Sequence, residues 1–145
     1  LLIVSPWVAE NALNADAILD RIRKATQAGV RVTVVASSDF QQGRSGFAPD
    51  ADPALYSLQE AGAEVRVLRR VHSKVVASDD KVLLVGSFNW LSAVRDQQSN
   101  YSSVEHSMHY RGQQAPDMIE RLWGDFAEAQ KVAVKGGSAV SASVQ

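Results

Sequence analysis

Apolar and polar positions change period along this chain, and each change marks an element. Leu1 to Val4 is an apolar run closed by Ser5-Pro6, after which Ala17, Ile18, Ile22 and Ala25 recur at helical spacing until Gly29 offers a stop. Val30 to Ala36 (VRVTVVA) is β-branched enough for a central parallel strand, and the Gly, Ser, Asp and Pro content of Ser37 to Pro53 reads as a long loop. A short helix follows over Ala54 to Ala61, stopped by Gly62, and Ala63 to Leu68 alternates as the next strand. His72 to Ala77 and Val82 to Val85 read as two strands of a hairpin turning at SDDK, and Val104 to Tyr110 as a further strand. Pro116 opens a helix whose buried face holds Ile119, Leu122, Trp123, Phe126 and Ala127. Strands alternating with helices in this order predict an α/β fold, a mixed β-sheet flanked by helices on both faces.

Composition sets the scale. With 145 residues and 46% hydrophobic content the chain suits one domain, expected over 1–135, with the small-residue stretch 136–145 as a flexible tail. The opening LLIVSPW carries no methionine and starts in mid-strand, so the domain is expected to be cut from a longer polypeptide. Cysteine is absent, which removes disulfides, thiolate metal sites and a cysteine nucleophile. No run approaches a membrane span and no signal peptide opens the chain, so a soluble, cytoplasmic protein with no membrane partner is expected.

The formal net charge of −1 argues against coating nucleic acid by bulk charge, but the charge is unevenly spread. Between Arg66 and Arg95 six cations face two aspartates, a local excess of four positive charges. Arg69 and Arg70, just before His72, are the candidates for binding an anionic substrate.

Within the hairpin the pattern is broken at both ends. His72 and Lys74 stand in front of one strand, and strand alternation turns imidazole and ammonium to one side. At the end of the other strand Gly86 allows a close backbone approach, a second candidate contact for substrate, and Ser87 and Asn89 bring neutral donors. An imidazole nucleophile, an ammonium and two neutral donors suit a phosphoryl group. His106 and His109 with Glu105 do not suit a metal, because histidines three apart on a strand face opposite ways.

The joint spacing His72-x-Lys74, four residues to Asp79, six to Gly86-Ser87 and one to Asn89 resembles the HxK(x)4D(x)6GSxN signature of the phospholipase D superfamily. The phrase GSFN and the single motif look most like its small bacterial endonuclease branch. The resemblance implies a metal-independent phosphodiesterase with no cofactor, in which His72 forms a phosphohistidine and Lys74 and Asn89 hold the nonbridging oxygens, supported by Ser87. It further implies a homodimer, the second histidine coming from another motif copy across a two-fold axis. Asp79, the signature's carboxylate, falls in the turn SDDK, where a structural or loop-pairing role suits it better than chemistry. Glu105 lies on the same side of its strand as Ser107 and His109, and the resemblance implies that it orients the histidine ring.

Three functions follow as expectations. The first is a nuclease acting on DNA or RNA, a module of a larger protein such as a helicase or defence system. The second is a phospholipase or phosphatidyltransferase, which calls for an apolar interfacial element that the sequence does not display. The third is an inactive nucleic-acid-binding or scaffold domain, against which the intact motif argues.

Overall fold

A computed structural model describes residues 1–41 and 52–136. The tail from residue 137 and most of the long loop, residues 42–51, lie outside the described residues.

Six strands form one mixed sheet in the order β3-β2-β1-β4-β5-β6: β1 (Leu2–Val4), β2 (Thr33–Ser37), β3 (Glu64–Leu68), β4 (Val75–Ser78), β5 (Val82–Gly86) and β6 (Ser107–Tyr110). β1, β2 and β3 are parallel, and β4, β5 and β6 continue the sheet antiparallel, each to the strand before it. Alternation along the strands divides the core into two layers. Ile3, Val34 and Ala36 pack with Leu13, Ile22, Leu55 and Leu58 of α1 (Glu10–Ala15), α2 (Ile18–Gln27) and α4 (Pro53–Glu60). Leu2, Val4, Val35, Val75, Ala77 and Leu83 pack on the opposite face with Ile119 and Phe126 of α5 (Ala115–Gly136). Helices therefore cover both faces, as the pattern predicts.

Local chemistry places the helix ends. Gly29, at φ 83°, turns the chain out of α2, its N–H donating to the Thr26 carbonyl while Val30 N–H donates to that of Ala25, both at 3.0 Å. α4 opens with Pro53 in its first turn and with Asp52 accepting from the N–H groups of Ala54 (2.9 Å) and Leu55 (3.3 Å), a cap worth about 1 kcal/mol. No helix among the described residues is long and apolar enough to cross a membrane.

Several boundaries differ from the sequence reading. β2 begins at Thr33 rather than Val30, α1 goes unseen in the pattern, and α3 (Ser38–Gln41) occupies the start of the expected loop. Ala127 is exposed rather than on the buried face of α5. β4 begins at Val75, not His72, because its partner β1 ends opposite at Val4. β6 begins at Ser107, not Val104, because its partner β5 ends opposite at Gly86.

Candidate active site

The chain order turns outward in both directions from the β1–β4 pair, with β2 and β3 on one side and β5 and β6 on the other. Open α/β sheets bind ligands in the crevice that such a reversal leaves at the strand ends. Here the C-terminal ends of β1, β2, β3 and β5 meet the N-terminal ends of β4 and β6, and His72, Lys74, Ser87, Asn89 and Glu105 all belong to segments at this end.

His72 and Lys74 precede β4, yet the ladder reaches one rung beyond it, since Gly86 N–H donates to the Lys74 carbonyl at 3.3 Å. Lys74 is thereby held opposite Gly86, and alternation with Val76 turns its side chain toward the face of α1, α2 and α4. Its ammonium donates to the His72 carbonyl at 3.0 Å and stands 3.2 Å from His72 Nε2. With the ring proton on Nδ1, the Nε2 lone pair faces the ammonium.

Gly86 and Ser87 serve β6. A Cβ on Gly86 would fall on the His106 carbonyl oxygen and Ser107 Oγ, so the close approach expected at this glycine is that of the neighbouring strand. Ser87 completes the junction: its N–H donates to the His106 carbonyl at 3.0 Å, and its Oγ accepts from His106 N–H at 3.2 Å. Half-buried Glu105 precedes that junction by one residue, outside the strand on which the sequence placed it.

Asn89 follows on a loop tied to the core from two sides. Ser5, fully buried at the end of β1, donates from Oγ to the Trp7 carbonyl (2.8 Å) and accepts from Leu91 N–H (3.3 Å), while Ala9 N–H donates to the Leu91 carbonyl (2.9 Å). On the other side Arg95 pairs with Asp16 at 2.7 Å, donates to the Trp90 carbonyl at 2.7 Å, and stacks 4.9 Å from the centroid of Phe88. The loop that follows Asn89 is thus anchored at Leu91 and Arg95 by contacts 86 and 79 residues apart in sequence.

Asp79 is not brought to this end. It takes a φ of 52° in the β4–β5 turn, closed by Lys81 N–H donating to the Ser78 carbonyl at 3.2 Å. Five residues of largely extended chain separate it from Lys74, about 16 Å. The turn role expected for it fits this position, and catalysis with His72 within one chain does not. Asp79 instead borders two concavities of about 430 and 400 Å³, which lie away from His72.

The basic run is dispersed. Arg66 pairs with Glu64 at 2.7 Å and lies 5.6 Å from the centroid of Trp123, Arg95 is tied to Asp16, and Lys81 sits in the distant turn. Arg69 and Arg70 remain beside His72. Arg69 Nε is 3.9 Å from Asp39 Oδ1, and it is the backbone N–H of Arg70, not its guanidinium, that donates to Asp39 Oδ2, at 2.6 Å. A left-handed non-glycine residue costs about 1–3 kcal/mol and persists only where its surroundings hold it. Asp39 provides that hold for Arg70.

The sequence reading also left aside three exposed apolar side chains. Trp7 is 53% exposed just beyond β1, and Tyr101 and Val104, 85% and 88% exposed, lie on the segment leading into β6. The contacts of Ser5, Asp39 and Arg95 were not read from the sequence either. Ser5 carried a faint signal as a hydroxyl ending an apolar run, whereas Asp39 and Arg95 find partners only through the fold. Among the described residues, no three His, Asp or Glu side chains gather as a metal-binding group.

Fold and site together define an α/β protein with an imidazole–ammonium pair at the strand ends. The chain belongs to the phospholipase D superfamily: residues 3–123 match the family model described as cardiolipin synthase, PLD-like domain. It is 30% identical over 104 residues to mouse mitochondrial cardiolipin hydrolase, a match that covers 69% of this chain and 43% of that relative. Among solved structures it resembles TrmBL2, described as an archaeal chromatin protein with a novel mode of DNA binding, at a TM-score of 0.50 and 15% identity. That likeness covers 88% of this chain and 43% of the other and is one of fold.

Proposed function

We propose that this domain is a metal-independent phosphodiesterase that cleaves nucleic acid through a phosphohistidine on His72. The observation that carries the reading is the 3.2 Å contact between Lys74 Nζ and His72 Nε2, a lone pair and a cation side by side at the crevice. As Nε2 attacks phosphorus the P–N bond forms and the bond to the leaving oxygen breaks, with Lys74 and Asn89 holding the nonbridging oxygens. The leaving oxygen departs on the opposite side of phosphorus and takes its proton from His72 of a second copy. Water then displaces the histidine nitrogen, returning a proton to that second imidazole and freeing the product phosphate.

Nucleic acid is favoured by the exposure of His72 and by Arg69 and Arg70 beside it, which suit a phosphate within a long chain better than an enclosed headgroup. A lipid phosphodiester is the second reading. It draws on exposed Trp7, Tyr101 and Val104 and on the cardiolipin chemistry in the names of the family model and the mouse relative. Incubation in EDTA with plasmid, single-stranded DNA, RNA and cardiolipin vesicles separates the readings. Cleavage of a nucleic acid that His72→Ala abolishes supports the first, release of phosphatidic acid from vesicles alone transfers the reading to the second, and cleavage of none refutes both.

A further inference from the structure

Between β3 and β4 the chain must cross the sheet end, because β2 and β1 lie between those strands. Three strand spacings make that crossing about 14 Å wide. Residues 69–74 make it, and they carry both His72 and Lys74. Beneath them, just past the end of β2, lies Asp39.

We infer that Asp39 is the positioning residue for His72: its carboxylate pins the crossing at Arg70 and so fixes where the imidazole stands. This rests on the phosphodiesterase reading for its kinetic consequence, though not for its structural one. The pin is itself anchored in the core. Ser37, fully buried, donates its N–H to the Pro6 carbonyl at 3.0 Å, and its Oγ accepts from Asp39 N–H at 3.3 Å. Asp39 Oδ2 then accepts from Arg70 N–H at 2.6 Å, and the Arg69 guanidinium lies 3.9 Å from Oδ1. Two residues later the His72 carbonyl accepts from Lys74, closing a relay from the end of β2 to the imidazole–ammonium pair. Arg70 is the residue with φ 60°, so the carboxylate grips the chain where the backbone most needs holding. The Asp39 carboxylate meets that N–H; without it, the crossing keeps buried Val71 as an anchor but loses this tie two residues before the histidine.

The test compares wild type, Asp39→Ala, Asp39→Asn and His72→Ala in two measurements. With bis(4-nitrophenyl) phosphate, Asp39→Ala is expected to lower kcat roughly 10- to 100-fold with little change in KM, the signature of a misplaced reacting group rather than lost binding. Asp39→Asn keeps an oxygen acceptor for Arg70 N–H and should recover most of that loss. Imidazole ¹⁵N spectra of the same proteins, which carry three histidines, should show the His72 ring signals moving in Asp39→Ala while those of His106 and His109 stay. Should Asp39→Ala not fold, Asp39→Glu, which displaces the carboxylate by one methylene, should move the His72 signals part of the way. A variant with wild-type kcat and an unmoved His72 ring overturns the inference. If wild type cleaves no phosphodiester, the phosphodiesterase reading fails and the ring spectra alone decide the role of Asp39.

Discussion

Lys74 Nζ stands 3.2 Å from His72 Nε2 and also donates to the His72 carbonyl, so the ammonium caps the lone pair that would attack phosphorus. A phosphodiester arriving at the crevice offers that ammonium a charged acceptor in place of a neutral one. Drawing the lysine onto a nonbridging oxygen uncaps Nε2. In the proposed mechanism, substrate binding and nucleophile release are thus one movement of one side chain.

Removing the ammonium should therefore expose the lone pair yet slow the reaction. Lys74→Met is expected to lower kcat/KM by about 10²- to 10³-fold, the scale for a group that stabilises transition-state charge. Steady-state kinetics on bis(4-nitrophenyl) phosphate decide this, and a Lys74→Met enzyme as fast as wild type would remove lysine from the mechanism.

In the proposed mechanism His72 carries the covalent step. His72→Ala should reduce turnover by at least about a thousandfold, and wild-type protein quenched during turnover should carry acid-labile phosphate at His72 by mass spectrometry. Label found on His106 or His109 instead would displace the nucleophile.

Activity should persist in EDTA, because the site offers a nucleophile and hydrogen-bond donors, a poor set for a hard cation. Complete loss in chelator, restored by magnesium, is the outcome that contradicts the mechanism.

If a second copy supplies the general acid, specific activity should rise with protein concentration through the range in which sedimentation shows monomers pairing. Full turnover from a demonstrably monomeric domain would rule out the shared site.

Ser5 gives a stability prediction free of any catalytic assumption. Ser5→Ala removes a buried hydroxyl that accepts from Leu91 N–H and donates to the Trp7 carbonyl, leaving the Leu91 N–H without that acceptor. Urea unfolding should report a loss of about 1–3 kcal/mol. Gly86→Ala should also destabilise, by driving β6 away from β5.

The sequence by itself determined the α/β class and most elements of the sheet, because buried strands and amphipathic helices announce themselves through apolar periodicity and because Gly29 and Gly62 mark helix ends by local backbone chemistry. It also determined the signature from His72 to Asn89, since a hairpin carries its own spacing wherever the fold places it. Tertiary structure decided the rest. It separated Asp79 from His72 by the length of β4, and it assigned Gly86 and Ser87 to the seam with β6. Three of the six cations of the basic run, Arg66, Lys81 and Arg95, were distributed to other neighbours or to another part of the sheet. Asp39, Ser5 and Arg95 were recruited to the loops around the site through partners 31, 86 and 79 residues away. Such contacts are made by chain crossings at a sheet end, and no local pattern records them, because the residues involved become neighbours only when the strand order β3-β2-β1-β4 is in place.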